Sequence, residues 1–113
     1  MIKLSAIISA FVFLISCAVA NEPKGQQELY DFAQANCLFW YFDSKGYDTE
    51  DIRAISGGMV EVSDVPIEKF EEISLFIKSY SPEVASKNNV DERLVRCFQL
   101  RDSEALRALI VGR

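Results

Sequence analysis

Apolar residues recur at helical spacing in four or five stretches of this 113-residue chain, and no clear strand pattern appears between them. Over residues 26–42 the stripe is Leu29, Phe32, Ala33, Cys37, Trp40 and Tyr41. Leu38, Phe39 and Phe42 lie off that stripe, so the second half of this helix is apolar nearly all round. Such a helix is either central to its domain or covered again by another chain. A turn at Asp43 to Asp48, with Gly46, precedes a second helix capped by Asp48 or Thr49, with Glu50 and Asp51 at its positive end. Ile52, Ile55 and Met59 give its expected buried face. Gly57 and Gly58 allow two readings: close approach of this helix to another across a subunit boundary, or the end of the helix with Met59 to Val62 extended.

Ser63-Asp64-Val65-Pro66 is a start signal for a third helix reaching about Tyr80, with Ile67, Phe70, Ile73, Ile77 and Tyr80 directed inward. Its opposite face carries Glu68, Glu71, Glu72, Lys78 and Ser79, with Leu75 stranded among them and Phe76 beside it. Charges on a helix are commonly only a solvated face. An apolar side chain ringed by carboxylates instead suggests the centre of a contact patch. Ser81 to Asn89 is the longest polar connection, a place where recognition residues concentrate. A fourth helix is expected from about Val90 to Leu100, burying Val90, Leu94, Cys97 and Phe98. Asp102-Ser103 then caps a last helix that buries Leu106, Leu109 and Ile110. The expected fold is all-α, a compact bundle of four to five short helices.

The amino terminus changes where this domain must work. Lys3, the apolar run Leu4 to Ile15 and Ala18-Val19-Ala20 form an export signal over residues 1–20, leaving a domain at 21–113. Leu14-Ile15-Ser16-Cys17 also fits a lipobox, in which Cys17 would be lipidated, and this is the one route to membrane attachment. Either way the expected compartment is the periplasm of an envelope with two membranes. Cys17 is then discarded or lipidated, and Cys37 and Cys97 remain as a pair in an oxidising space. A Cys37–Cys97 disulfide is the expectation, with two separate buried thiols as the competing arrangement. Closing a loop of roughly 60 residues would stabilise by roughly 4 kcal/mol on the chain-entropy argument.

Loss of residues 1–20 removes Lys3 from 12 basic residues and nothing from 17 acidic ones, so the exported domain carries a formal charge of −6. Phosphate backbones call for the opposite sign, so a nucleic-acid partner is not expected. The chain has no histidine, and with it go the usual proton carrier and the commonest metal ligand. The acid pairs Glu68/Glu72 and Glu71/Glu72 sit at surface spacing on one helix rather than across a cleft. No phosphate loop or nucleophile elbow is present. A binding protein without catalytic residues, metal or cofactor is therefore expected. An accessory envelope protein is the alternative, and a small-ligand carrier lined by Phe32, Phe39, Trp40, Tyr41 and Phe42 is a third reading.

Ser56-Gly57-Gly58-Met59, Val65-Pro66-Ile67-Glu68-Lys69-Phe70-Glu71-Glu72-Ile73, Arg96-Cys97 and Ser103 to Leu106 are more specific when taken in order. Together they resemble the immunity proteins that neutralise type VI secretion amidase effectors, toxins that cut peptide cross-links of the cell wall. The resemblance implies a small helical periplasmic homodimer that plugs the groove of a papain-like cysteine hydrolase. It further implies that the third helix of one subunit and the loop before the fourth helix of its mate face the toxin. The residues so placed are Glu68, Glu71, Glu72, Leu75, Ser81, Glu83, Lys87 and Asn88. Phe39, Phe42, Gly57 and Gly58 are expected at or near the two-fold seam. Met59, Phe70, Gln99 and Arg101 depart from what relatives often show, which bears on which effector is cognate.

Overall fold

The long first stripe becomes helix α1, Lys24–Ser44, in a computed structural model that describes residues 22–82 and 89–112. The expected export segment, with Cys17, and Glu83, Lys87 and Asn88 of the polar loop lie outside the described residues. Helix α1 starts two residues before the expected position because Pro23 supplies its first acceptor, bonding the amides of Gln26 and Gln27 at 3.0 and 3.1 Å. Its fixed φ of −56° already suits a helix entry. A Cβ on Gly25 would stand 3.1 Å from Val65 Cγ2, so this glycine lets the first turn of α1 lie against the chain that enters the third helix.

Four further helices pack around α1: α2 (Glu50–Val62), α3 (Ile67–Ser79), α4 (Glu92–Phe98) and α5 (Glu104–Val111). A 3-10 turn, Leu100–Asp102, joins the last two. No strand occurs among the described residues. Helix α1 touches all of these elements and is central to the domain, yet the apolar circumference of its second half, from Cys37 to Phe42, is only partly buried. Its full burial is confined to the first half, at Leu29, Tyr30, Phe32, Ala33 and Ala35. Phe32 meets Phe70 of α3 edge to face at 5.0 Å, and Ile73, Ile77, Leu100, Leu106 and Ile110 complete the core. An aromatic pair of this geometry adds about 1 kcal/mol beyond its buried area.

Local signals set the element ends. Asp48 Oδ1 accepts from the Glu50 amide at 2.9 Å and starts α2. Ser63 Oγ accepts from Val65 N at 3.0 Å while donating to Glu28 Oε1 at 2.7 Å, which ties the α2–α3 connection to α1. Asp91 caps α4 through Arg93 N, and Ser103 caps α5 through Leu106 N. Helix α2 runs unbroken through Gly57 and Gly58, so the alternative in which the glycines end it does not hold.

Some inward assignments are corrected. Ile55 is 52 % exposed because α2 rests on α1 through Ile52, Ser56 and Met59, and Ile55 turns away from that line. Ile67, the first residue of α3, projects past the end of the core and is 55 % exposed. Helix α4 is shorter than expected, so Val90 precedes it and is 48 % exposed. Phe98, one position beyond inward-facing Cys97, is 64 % exposed, and Leu100 fills the core from the 3-10 turn instead.

Cys37 and Cys97 are bonded, with Cα atoms 5.4 Å apart, and Cys97 is almost wholly buried. The bond joins α1 to α4 across 60 residues of sequence. Gln34 Nε2 donates to the Cys97 carbonyl at 3.3 Å beside it. Cys37→Ser should lower the thermal midpoint by about 15 °C or more, as loss of a long-range crosslink requires. Calorimetry of the variant and of reduced wild-type protein should give matching midpoints. A variant melting with the oxidised wild type would show that α4 holds its place without the bond.

Candidate functional site

Helix α3 is held rigidly by one face and free on the other. Phe70, Ile73 and Ile77, at spacings of three and four, are buried to 2, 0 and 5 % exposure. The same geometry turns Glu68, Glu71, Glu72 and Leu75 outward, and Leu75 is 70 % exposed. Among the described residues Glu72 pairs with Lys69 at 3.3 Å, whereas Glu68 and Glu71 make no ion pair. Phe76 leaves this patch: it packs on the core, and its ring lies 5.3 Å from that of Tyr80. The result is one apolar side chain in an acidic surround on a helix whose opposite face is buried in the core. Ser81 is exposed just beyond the helix end, so the four α3 residues and Ser81 are all open to solvent.

An open groove of about 500 Å³ follows, between Phe76, Tyr80, Ser81 and Pro82 on one side and Gln99, Ser103, Glu104 and Ala105 on the other. The apolar periodicity does not reveal this groove, because its far wall comes from the residues flanking the 3-10 turn and from the start of α5.

A second exposed region is built by α1 and α2. Phe39 and Phe42 are partly exposed, with the Arg53 guanidinium 5.4 Å from the Phe39 ring and Tyr47 6.0 Å from Phe42. Helix α2 contains no fully buried residue, and Ile55 and Val62 are exposed on it. Cβ atoms placed on Gly57 or Gly58 would meet nothing within 4 Å, so these glycines serve no close approach inside the described chain. The five aromatics do not surround one cavity: Phe32 is in the core, Phe39 stands on Trp40, Phe42 lies against Tyr41, and of the five Trp40 and Tyr41 border a recess beside α4. That arrangement does not favour a ligand carrier.

Sequence reasoning missed the group that fixes the chain as it enters α4. Asp91 Oδ2 takes an ion pair from Lys45 Nζ at 3.0 Å and a hydrogen bond from the Tyr41 hydroxyl at 3.2 Å, while Oδ1 caps α4. Lys45 also stands over the Tyr41 ring. The bond from Lys45 holds the Asp91 carboxyl below its ordinary value of 3.8, and the same bond raises Lys45 above 10.5. Desolvation, then the bond to Asp91, raises the Tyr41 phenol. The signal in the sequence was only Asp91 one residue before Glu92, a cap pattern that does not disclose its distant partners.

A depressed carboxyl stabilises above its unfolded value and loses that contribution as pH falls through the folded value. A raised amine stabilises below its unfolded value and loses that contribution as pH rises through the folded one. The difference in denaturation midpoint between wild type and Lys45→Met should therefore be flat between the two windows. It should shrink below the ordinary 3.8 of Asp91 and again above the ordinary 10.5 of Lys45. A difference that does not change at either extreme would show that the pair contributes no linkage.

The model of one family, described as type VI secretion system amidase immunity protein, matches residues 27–110, well over half of the chain. No curated protein and no solved structure gives a significant match.

Proposed function

This chain belongs to the type VI secretion system amidase immunity family, and on that premise we propose that it protects its producer by occupying the substrate groove of one peptidoglycan amidase. The match over residues 27–110 carries this reading. The outer face of α3 supports it, because a stranded Leu75 among carboxylates offers an apolar anchor within a charged rim. Protection is stoichiometric, since a plug works only while seated. The site of action is the periplasm, reached by the amino-terminal export signal, where the Cys37–Cys97 bond remains oxidised. The contact surface comprises Glu68, Glu71, Glu72 and Leu75 with Ser81, Glu83, Lys87 and Asn88 of the following loop. The functional unit is a homodimer whose seam contains Phe39, Phe42, Gly57 and Gly58. The absence of any buried residue on α2 supports that seam, since a second copy would cover it.

Titrating the amidase with this protein should abolish cleavage of cell-wall peptides at about one subunit per enzyme. Activity that persists at saturation would end the proposal. Glu71→Arg and Leu75→Ala should melt within a degree or two of wild type, because neither side chain supports the core, yet each should weaken inhibition by about tenfold or more. Equal inhibition by both would move the contact surface elsewhere.

The seam has its own test. In a lone chain Gly57→Ala meets no atom and should stabilise α2 by about 1 kcal/mol through helix propensity. In a close-packed dimer the added methyl should instead lower the dimer mass seen by light scattering and destabilise the protein. Stabilisation with unchanged mass would place Gly57 outside any seam.

A further inference from the structure

The acidic domain contains one notch whose charge runs the other way. Lys78 of α3 and Arg93 and Arg96 of α4 line a recess of about 260 Å³ with Trp40, Tyr41 and Tyr80, and no carboxylate lines it among the described residues. Arg96 is partly buried; its Nε is shielded from water and has no hydrogen-bond partner among the described residues, while Nη1 reaches the Tyr80 carbonyl at a long 3.4 Å. The Lys78 ammonium sits 5.1 Å from the Trp40 ring centroid, which keeps it at the wall of the recess. Asp91, beyond one end, is already engaged by Lys45 and Tyr41. Gathering like charges is unfavourable without a counter-ion, and no carboxylate among the described residues lines the recess to supply one. A site built in this way is completed by an anion with planar oxygens, which a guanidinium grips best.

We propose that this notch receives a carboxylate side chain, Asp or Glu, of the neutralised amidase. The inference rests on the functional reading above. Placement argues for a protein carboxylate over a free ion. Lys78 and Ser79 follow Leu75 by one helical turn, and Ser79 and Ser81 form the rim, so the notch borders the patch assigned to the effector. The recess is large enough for one side chain, and it opens to the surface on which a partner would sit. The interface is then a mosaic: carboxylates on α3 meet cations of the partner, and this notch takes one acid in return. Such an inversion rejects toxins that merely carry a basic surface. The Cys37–Cys97 bond is part of the wall, since Cys37 lines the recess and α4 supplies both arginines.

Calorimetric binding to an inactivated form of the amidase tests this. Lys78→Glu and Arg93→Glu should each raise Kd by about tenfold or more, with the effect shrinking at high salt. Arg107→Glu, an exposed arginine on α5 outside the grooves described, should bind as wild type does. Replacing the matching amidase acid with lysine should restore binding to Arg93→Glu. Wild-type strength in both notch variants would overturn the inference while leaving the immunity role standing. It would also be overturned if Glu83→Gln abolished the sensitivity to Arg93→Glu, since the chain's own carboxylate would then fill the notch. If wild-type protein failed to bind the amidase at all, the functional reading would fall first and this inference with it.

Discussion

The Cys37–Cys97 bond decides whether the carboxy-terminal third of this domain has a place to stand. Helix α4 is two turns long, too short to persist without tertiary support. The 3-10 turn and α5 follow it, and they bring Leu100, Leu106 and Ile110 into the core. Without the bond, these apolar contributions depend on a short helix finding α1 across a long connection. With it, the search is restricted before any side chain packs. The hydrogen bond from Gln34 to the Cys97 carbonyl and the Lys45–Asp91 pair then set the position of α4 along α1. The covalent link holds the elements together and the polar contacts give the register.

From this frame follows a division between surfaces that are spent and surfaces that are free. Phe70, Ile73 and Ile77 hold α3 on the core so completely that Glu68, Glu71 and Leu75 have no structural work to do. Helix α2 represents the other extreme: it has an apolar side but no fully buried residue, and its glycines approach nothing. A helical domain of this size has little apolar surface beyond what a single core requires. Leaving Ile55, Val62, Leu75 and Phe98 exposed is consistent with membership of a family that acts by contact with another protein.

An all-α bundle of four to five helices, the bonded pair and the exposure of Leu75 were legible in the sequence, because each depends on local periodicity or on counting cysteines. Periodicity fails where burial depends on what lies opposite. Ile55 and Met59 share a helical stripe, yet only Met59 packs against the core, since one narrow line of α2 meets α1. Phe98 looked as buried as Cys97 by hydropathy, but the disulfide orients α4 and leaves the next position outside. Long-range polar contacts escaped for a related reason. Asp91 reads as a helix cap, and its bonds to Lys45 and Tyr41 join residues far apart in the chain that no local rule connects.

The basic notch shows how the same constraint reaches recognition. Its cations come from two successive helices, α3 and α4, and its aromatic wall from α1, through Trp40 and Tyr41, and from Tyr80 at the end of α3. Any loosening of α4 would separate Arg93 and Arg96 from Lys78 and undo the cluster. Preorganisation matters here because an interface gains affinity only from what remains after its groups have been ordered and desolvated. A crosslinked scaffold orders them during folding, before the partner arrives. The bond between α1 and α4 fixes the core, and on the proposed reading it also fixes the surface that selects a partner.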